Sequence, residues 1–252
     1  MEDRVQLQQF DFNNIEGISL NQLQQHYQLY KGYVDRVNEI WEKLKGMDKS
    51  SAPNTTFSDI RSLKLGESYA LDGVKLHVLY FQNIGGTSKI PHGLALDLIE
   101  RDFGSYGRFL QRLSDVALSM RGWAVVAIDL LDNRLHIYGL DEHDKGAVWG
   151  AYPILVLDVY EHAYMIDFGI DRKRYIETFI KNINWSIVNS RINEYLKLRA
   201  IENNFLGSSI ALKDAILLYE GNDYNRILDN KIVNGDVINC LCRCPLLFRG
   251  FY

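Results

Sequence analysis

The chain has 252 residues, of which 47% are hydrophobic and 24% are charged, and its formal net charge is −4 at pH 7. This length is enough to bury a substantial core in one large or two modest domains. The negative charge and the lack of a basic block argue against nucleic-acid binding, and the apolar runs are too short to cross a bilayer. Cysteine occurs only at positions 240, 242 and 244, and no secretory signal is visible. We therefore expect a cytoplasmic protein with neither nucleic-acid nor membrane partners.

Two long helices are predicted in the first third of the chain. Ser19 followed by Gln22 is typical of a capping box, and apolar residues spaced by three and four predict a helix from residue 20 to about residue 44. A second helix is predicted from residue 57 to about residue 82, with an interruption near Gly73. Each helix has one polar face, so the two are expected to pack as an antiparallel hairpin.

The next part of the chain alternates between helical and extended patterns. The predicted segments are helices at 95–101 and 107–118, strands at 124–130, 134–140 and 154–157, and helices at 164–183 and 186–199. Asp132 and Asn133 separate the first two strands and are typical of a hairpin turn. This order predicts an α+β fold.

Composition also suggests how the chain is divided. Glycines and a proline between residues 84 and 93 predict a linker. We expect a helical domain at 1–86, an α/β domain at 91–199 and an extension at 200–252. In the extension, Asn234 and Gly235 between β-branched residues predict a hairpin. The three nearby cysteines leave two alternatives open, a tail that binds a soft metal or a partner and an extension without such a role.

An acid and a histidine four residues apart stand where a predicted strand passes into a predicted helix. These residues are Asp158 and His162. At this spacing both side chains can bind one metal ion, and the end of a rigid element can hold such a site firmly. Alone, the pair is a weak motif.

The surrounding residues add a resemblance to a known family. Segment 158–164, D-V-Y-E-H-A-Y, resembles the D-x-W-E-H-A-Y signature of the iron/manganese superoxide dismutases, with Tyr160 in place of tryptophan. Four further segments resemble family motifs in family order and spacing: 99–105 (I-E-R-D-F-G-S), 122–124 (G-W-A), 172–176 (R-K-R-Y-I) and 182–185 (N-I-N-W). The resemblance spans about residues 10–198. It implies an N-terminal antiparallel helical hairpin followed by an α/β metal-binding domain with a three-stranded antiparallel sheet.

The resemblance also implies one iron or manganese ion per subunit. The implied ligands are His26, His77, Asp158 and His162. Three imidazoles and one carboxylate suit either metal, and the sequence does not decide between them. The first ligand position has an alternative, because an ungapped match places Gln25 there. Two helical turns between His26 and Tyr33 put both on one face and favour His26.

Further roles around the ion follow from the same resemblance. Family members hydrogen-bond the solvent at the ion from one of two positions. The first is Gly73 here, which has no side chain, so His143 is the candidate, and its imidazole is expected to titrate near neutrality. Tyr33 is expected to gate the substrate channel and relay a proton. Arg172 is expected near the channel mouth.

Four more residues are implied to flank the site. Trp123 and Tyr160 are expected to line an apolar pocket beside the ion. Glu161 is expected to cross the interface of a homodimer and to bond the partner subunit's metal-binding histidine, with Tyr164 at the same interface.

The implied function is superoxide dismutation. A redox cycle of the ion would convert two superoxide radicals to dioxygen and hydrogen peroxide. The alternative is a metal-binding relative without dismutase activity that has a structural or binding role. The tyrosine at position 160 and the extension motivate that alternative.

Overall fold

The computed structural model describes the backbone of residues 4–13, 15–47 and 53–217, and side chains as far as Ile201. Within these ranges, no helix has the length and apolar character needed to cross a membrane. The predicted hairpin around Asn234 and the cysteines at 240–244 lie outside the described residues.

The predicted fold class is confirmed. In chain order the elements are α1 (Leu20–Lys45), α2 (Asp59–Asn83), α3 (Leu94–Phe103), α4 (Tyr106–Ser119), β1 (Trp123–Asp129), β2 (Leu135–Leu140), β3 (Ala151–Asp158), a 3₁₀ turn (Glu161–Ala163), α5 (Met165–Phe168), α6 (Arg172–Lys181) and α7 (Trp185–Leu217). Two long helices therefore precede an α/β region whose strands form one antiparallel sheet. Residues up to Lys197 form one compact unit, and the domain boundaries at 86 and 91 stay a prediction.

The start of α1 shows only half of the predicted capping box. Ser19 Oγ accepts a hydrogen bond from the backbone N–H of Gln22 at 3.1 Å, as an N-cap does. The buried Gln22 side chain does not return to Ser19. Its amide nitrogen donates to the carbonyl of His162 at 2.7 Å, and its amide oxygen accepts from the N–H of Ile166 at 3.0 Å. Gln22 therefore fastens α1 to the segment that follows β3.

The predicted interruption of α2 at Gly73 is wrong, because the helix is continuous through that residue. A glycine inside a helix costs only about 1 kcal/mol relative to alanine, and packing on both sides of α2 holds it. The glycine instead permits a close approach. A Cβ atom at position 73 would lie 3.2 Å from the His143 ring and 3.2 Å from the Tyr33 ring.

The sheet has the strand order β2-β1-β3. Trp123 at the start of β1 pairs with Leu140 at the end of β2 and with Asp158 at the end of β3. All three strands therefore meet at one end of the sheet. An irregularity between Val126 and Ala127 interrupts the pairing of β1 with β3, opposite the part of β3 that contains Pro153. A proline is tolerated in such an edge position, so β3 begins earlier than predicted.

The single helix predicted at 164–183 is wrong. The chain there forms the 3₁₀ turn, α5 and α6. Gly169 separates the two helices with a φ of +55°, a conformation that other residues rarely adopt. Asp171 then caps α6 by accepting from the N–H of Arg174 at 3.1 Å. The last helix is also longer than predicted, since α7 continues to Leu217.

A buried arginine joins three elements behind the metal-binding region. The Arg191 guanidinium on α7 donates to the side chain of Asn83 at 3.0 Å and to that of Gln82 at 2.8 Å, both in the last turn of α2. It also donates to the carbonyl oxygens of Leu79 in α2, at 3.1 Å, and Ile154 in β3, at 3.0 Å. Burial lowers the pKa of Arg191 to about 10, so the group stays charged at neutral pH. A cation is favourable at a helix C-terminus, and this one ties α2 to β3.

Candidate metal centre

The four side chains predicted as ligands come together in the structure. His26, His77, Asp158 and His162 each offer one atom, and these atoms all lie within 4.8 Å of one another. They converge on a single carboxylate oxygen, Asp158 Oδ2. The Nε2 atoms of His26 and His162 are 3.1 Å and 3.2 Å from it, and that of His77 is 3.7 Å away. Gln25, the alternative first ligand, is exposed and lies outside this cluster.

Each of these side chains is placed by the end or the inner face of a regular element. His26 and His77 lie on the buried faces of α1 and α2. Asp158 is the last residue of β3, and the turn after it brings His162 back over the strand end. The N–H of Tyr160 donates to Asp158 Oδ1 at 2.9 Å, which orients the carboxylate. The Tyr175 hydroxyl donates to the Asp158 carbonyl at 2.8 Å and fixes the strand end.

The protonation of His77 suits a metal ligand. A carbonyl oxygen can only accept, so the contact of 2.6 Å between His77 Nδ1 and the Gly73 carbonyl places the proton on Nδ1. The Nε2 atom then carries a lone pair, and it is buried without a hydrogen-bond partner among the described residues. Burial, reinforced by the neighbouring His26, lowers the pKa of His77 well below its ordinary value. Burial likewise lowers the pKa of His26. Neutral imidazoles are what metal binding requires.

The carboxylate favours positive charge at the point of convergence. Burial alone would raise the pKa of Asp158, but the imidazoles of His162 and His26 hold it well below its ordinary value. The carboxylate in turn raises the pKa of His162, against the opposing effect of burial. Three nitrogen atoms and one carboxylate oxygen therefore surround a point where a cation is stabilised. This donor set fits iron or manganese.

His143 lies beside the cluster, with its ring centroid 5.7 Å from that of His77. It follows β2, and the meeting of the three strand ends brings it to Trp123. The indole Nε1–H of Trp123 donates to His143 Nδ1 at 3.0 Å, so the imidazole proton is on Nε2. That buried donor has no partner among the described residues. Burial lowers the pKa of His143 to about 4, so the expected titration near neutrality does not follow from the structure.

Aromatic rings cover the cluster on the side of His143. The Tyr33 ring centroid lies 5.4 Å from that of His77 and 4.7 Å from that of His143. Tyr160 stacks on His162 with 5.0 Å between ring centroids. Trp123 is fully buried, and its ring meets His77 edge-on at 5.1 Å. The predicted aromatic lining is therefore next to the cluster.

Sequence reasoning missed one aromatic residue of this layer. The Tyr69 ring lies 4.6 Å from the His143 ring and 6.1 Å from the Tyr33 ring. A signal for it exists in the sequence, because Tyr69, Gly73 and His77 follow one another at intervals of four. Residues at this spacing share one face of a helix, so a tyrosine two turns before the predicted ligand points to the same region.

The outer edge of the site carries the predicted charged residues. The Glu161 side chain is 57% exposed, and Arg172 donates to it at 3.4 Å. Arg172 also donates to the Tyr164 hydroxyl at 3.2 Å and to the Met120 carbonyl at 2.8 Å. Tyr164 itself is buried and stacks on Tyr175. Arg172 is thereby held in a fixed position near the 3₁₀ turn.

The fold and the site define a class of protein. A helical hairpin followed by an α/β region places three imidazoles and one carboxylate around one buried point, which is the arrangement of a mononuclear metalloprotein with ligands for a redox-active ion. The family profile for iron/manganese superoxide dismutases, C-terminal domain, matches residues 91–191.

The similarity to curated proteins covers more of the chain than the family profile does. Superoxide dismutase (Fe) of Aquifex aeolicus is 39% identical over 198 residues, which cover 77% of this chain and 92% of that protein. Superoxide dismutase (Fe) of Methanothermobacter thermautotrophicus is 34% identical over 185 residues, or 71% of this chain and 88% of that protein. Superoxide dismutase (Mn) 1 of Halobacterium salinarum is 32% identical over 190 residues, which cover 73% of this chain and 92% of that protein. The chain belongs to the iron/manganese superoxide dismutase family.

Proposed function

We propose that this protein is a superoxide dismutase that converts two superoxide ions and two protons to dioxygen and hydrogen peroxide. The observation that carries the proposal is the convergence of three imidazole Nε2 atoms on Asp158 Oδ2, with all four ligand atoms within 4.8 Å. It lies in a chain whose similarity to superoxide dismutases covers most of its length.

His26, His77, Asp158 and His162 hold one iron or manganese ion in this proposal. The bound ion supplies the one-electron redox chemistry. The imidazoles contribute neutral lone pairs, and the ionised Asp158 offsets part of the metal charge. Because α1, α2 and β3 are tied together by buried hydrogen bonds, the four ligand atoms are already close to the arrangement that the ion needs.

Protons are handled by His143 and Tyr33. The only hydrogen on the His143 ring nitrogens is at Nε2, since Trp123 occupies Nδ1. That buried donor has no partner among the described residues, so it would be able to donate a hydrogen bond to a small oxygen species beside the ion. Tyr33 is partly exposed and touches both His77 and His143, so its phenol links the centre to solvent. Burial raises the pKa of Tyr33, so the phenol stays protonated at neutral pH and acts as a hydrogen-bond donor.

Superoxide is an anion, and Arg172 is the proposed attracting charge. The protein has a net charge of −4, which by itself repels an anion. A local cation near the opening counteracts this repulsion and raises the association rate. Hydrogen bonds to Tyr164 and Met120 hold the guanidinium in place.

We also propose a homodimer with Glu161 at its interface. Glu161 is more than half exposed on one protomer, and the side chain of His162 is 24% exposed. The neighbouring apolar side chains of Met165, Ile166 and Ile170 are 48%, 52% and 91% exposed. An exposed apolar group beside a functional site supports an interface there. In this arrangement Glu161 bonds the partner subunit's metal-binding histidine. The cytoplasm is the compartment that we propose, on the cysteine usage of the sequence.

The test is a paired measurement on purified full-length protein prepared separately with iron and with manganese. Metal content gives the number of ions per chain, and the decay of a superoxide pulse gives the dismutation rate. We expect one ion per chain and catalysed decay with at least one metal. The matched variant His77→Ala should lose both the bound ion and the catalysed decay of superoxide. An ion bound at these residues with decay no faster than in buffer would support the alternative, a metal-binding relative without dismutase activity.

A further inference from the structure

His162 differs from the other three ligands in the element that carries it. It is the middle residue of the three-residue 3₁₀ turn Glu161–Ala163, between β3 and the four-residue helix α5. His26 and His77 are instead held in helices of 26 and 25 residues, and Asp158 is paired in the sheet. A turn this short has few backbone hydrogen bonds of its own, so the position of His162 depends on contacts from other parts of the chain.

The side chain of Gln22 supplies such contacts to the backbone at His162. Its amide nitrogen donates to the His162 carbonyl at 2.7 Å, and its amide oxygen accepts from the Ile166 N–H at 3.0 Å. These two backbone groups are four residues apart, and in a continuous α-helix they would bond directly to each other. The Gln22 amide therefore takes the place of one helical hydrogen bond and holds the turn apart from α5.

Gln22 is itself firmly placed on the helix that carries another ligand. It is fully buried in the first turn of α1 and precedes His26 by four residues, a spacing that puts both side chains on one face of the helix. The ring centroids of His26 and His162 are 4.9 Å apart. One helix thus provides the first ligand and fastens the backbone of the last.

A second pair of hydrogen bonds joins the same elements without reaching a ligand. The Asp167 carboxylate on α5 accepts from the Ser19 N–H at 2.6 Å and from the Ser19 hydroxyl at 2.7 Å. Like Gln22, this pair ties the start of α1 to the segment after β3. Because only Gln22 bonds a residue whose side chain is a ligand, the two contacts can be compared directly.

We propose that Gln22 is a positioning residue, whose amide fixes the backbone of His162 relative to the helix that carries His26 and so sets the affinity of the centre for its ion. Without the amide, the His162 carbonyl is free to bond the Ile166 N–H directly. That bond would extend α5 back into the turn and move the His162 imidazole relative to Asp158. The role rests on the proposed function, because the ion is the one that the four ligands hold there.

The test is Gln22→Met, which removes both hydrogen bonds and keeps a side chain of similar length. The matched control is Asp167→Ala, which removes the two hydrogen bonds to Ser19. Gln22→Asn is prepared as well, because its amide is one methylene shorter and cannot reach both backbone groups. Each protein is measured for thermal melting without metal, for the dissociation constant of Mn²⁺, for the visible absorption spectrum of the iron-bound form and for kcat.

For Gln22→Met we expect an Mn²⁺ dissociation constant raised about 10-fold to 100-fold, since loss of a group that orients a ligand weakens metal binding by this much. The visible spectrum should change too, because it reports the arrangement of the ligands around iron. Gln22→Asn should change both quantities in the same direction, and it decides the outcome if Gln22→Met does not fold. Asp167→Ala should melt at a lower temperature and keep the dissociation constant and spectrum of the wild type.

Two results would overturn the role of Gln22. One is a dissociation constant and a spectrum equal to those of the wild type in Gln22→Met or, if that variant does not fold, in Gln22→Asn. The other is an equal change of both quantities in Asp167→Ala, which would mean that any loosening of this junction disturbs the centre.

The outcomes for Gln22 and for the proposed function are separable. A wild type that dismutes superoxide, with a Gln22→Met variant that matches it in affinity and spectrum, would reject the positioning role and leave the function standing. A wild type that binds metal without dismuting superoxide, with an Mn²⁺ affinity that still falls in Gln22→Met, would reject the function and keep the positioning role.

Discussion

The inner and outer halves of the site are built in different ways. The inner half consists of the four ligand side chains, of which three are fully buried, and each is oriented by the end or the buried face of a regular element. The outer half consists of His143 and the phenols of Tyr33, Tyr69 and Tyr160, which come from four different segments and pack on the His143 ring. The fold therefore specifies where an ion binds, whereas mutual packing of side chains specifies what reaches it. Substitutions in the two halves should therefore separate metal binding from turnover.

The largest effect is expected from His77→Ala, in the inner half. Removing one of four ligands from a rigid site leaves an incomplete donor set, so the metal and the activity should be lost together. Metal analysis and superoxide decay on one sample check this. His136→Ala is the control, because His136 is paired with Asp132 at the surface and should change neither quantity. Full occupancy in His77→Ala would show that the ligand set is wrong.

Arg191 ties together the elements that carry the ligands, and it can be replaced without changing a ligand. Arg191→Met removes the four hydrogen bonds that tie α7 to α2 and β3, a loss of about 3 kcal/mol. The midpoint of urea unfolding, with the metal present at saturation, measures it. The exposed Arg112→Met should change stability by less than about 0.5 kcal/mol. Equal midpoints for the two variants would refute the structural role of Arg191.

In the outer half, His143→Ala should keep the metal and slow the chemistry. The variant loses a buried Nε2–H donor beside the ligand cluster, so turnover should fall about 10²-fold. Because burial lowers the pKa of His143 to about 4, the imidazole is neutral in the wild type from about pH 6 to pH 8. The pH profiles of variant and wild type should therefore run parallel across that interval. A step near pH 6.5 that only the wild type shows would mean that His143 does titrate there.

The smallest effect is expected at the outer edge, from Glu161→Ala. The partner subunit's histidine would lose its acceptor, which weakens the dimer by about 1–3 kcal/mol. Sedimentation at a series of concentrations measures dissociation, with the exposed Glu100→Ala as control. A wild type that stays monomeric and fully active at every concentration would contradict the proposed interface.

The resemblance to the family predicted the four ligands of the inner half and, in the outer half, His143, Tyr33 and Tyr160, and the sequence pattern predicted the elements that carry the ligands. Helical periodicity predicts the ends of α1 and α2, which carry His26 and His77, to within a few residues of their observed ends. The D-V-Y-E-H-A-Y segment marks the end of β3. These signals are local, since they depend on the spacing of residues within one element. Local spacing predicted the capping box but not the actual partners of the Gln22 side chain. These partners are the backbone groups of His162 and Ile166, which lie about 140 residues further along the chain.

The outer half depends on which elements pack together, and spacing within one element does not contain that information. The glycine at position 73 illustrates the point. Its sequence context predicts a break in α2, yet α2 is continuous there. The missing side chain leaves room for the rings of Tyr33 and His143. The break at Gly169 escaped prediction for a related reason, because a periodic apolar pattern continues across it while the backbone there takes a positive φ.

In the proposed function, one ion at the four converging side chains is the redox centre. The most direct test adds iron or manganese stepwise to metal-free protein and records the ions bound per chain together with the superoxide decay rate. We expect the rate to rise in proportion to the bound metal and to stop rising at one ion per chain, with no rise in His77→Ala. One tightly bound ion per chain without a rise in the decay rate would show that this ion is not a dismutation centre.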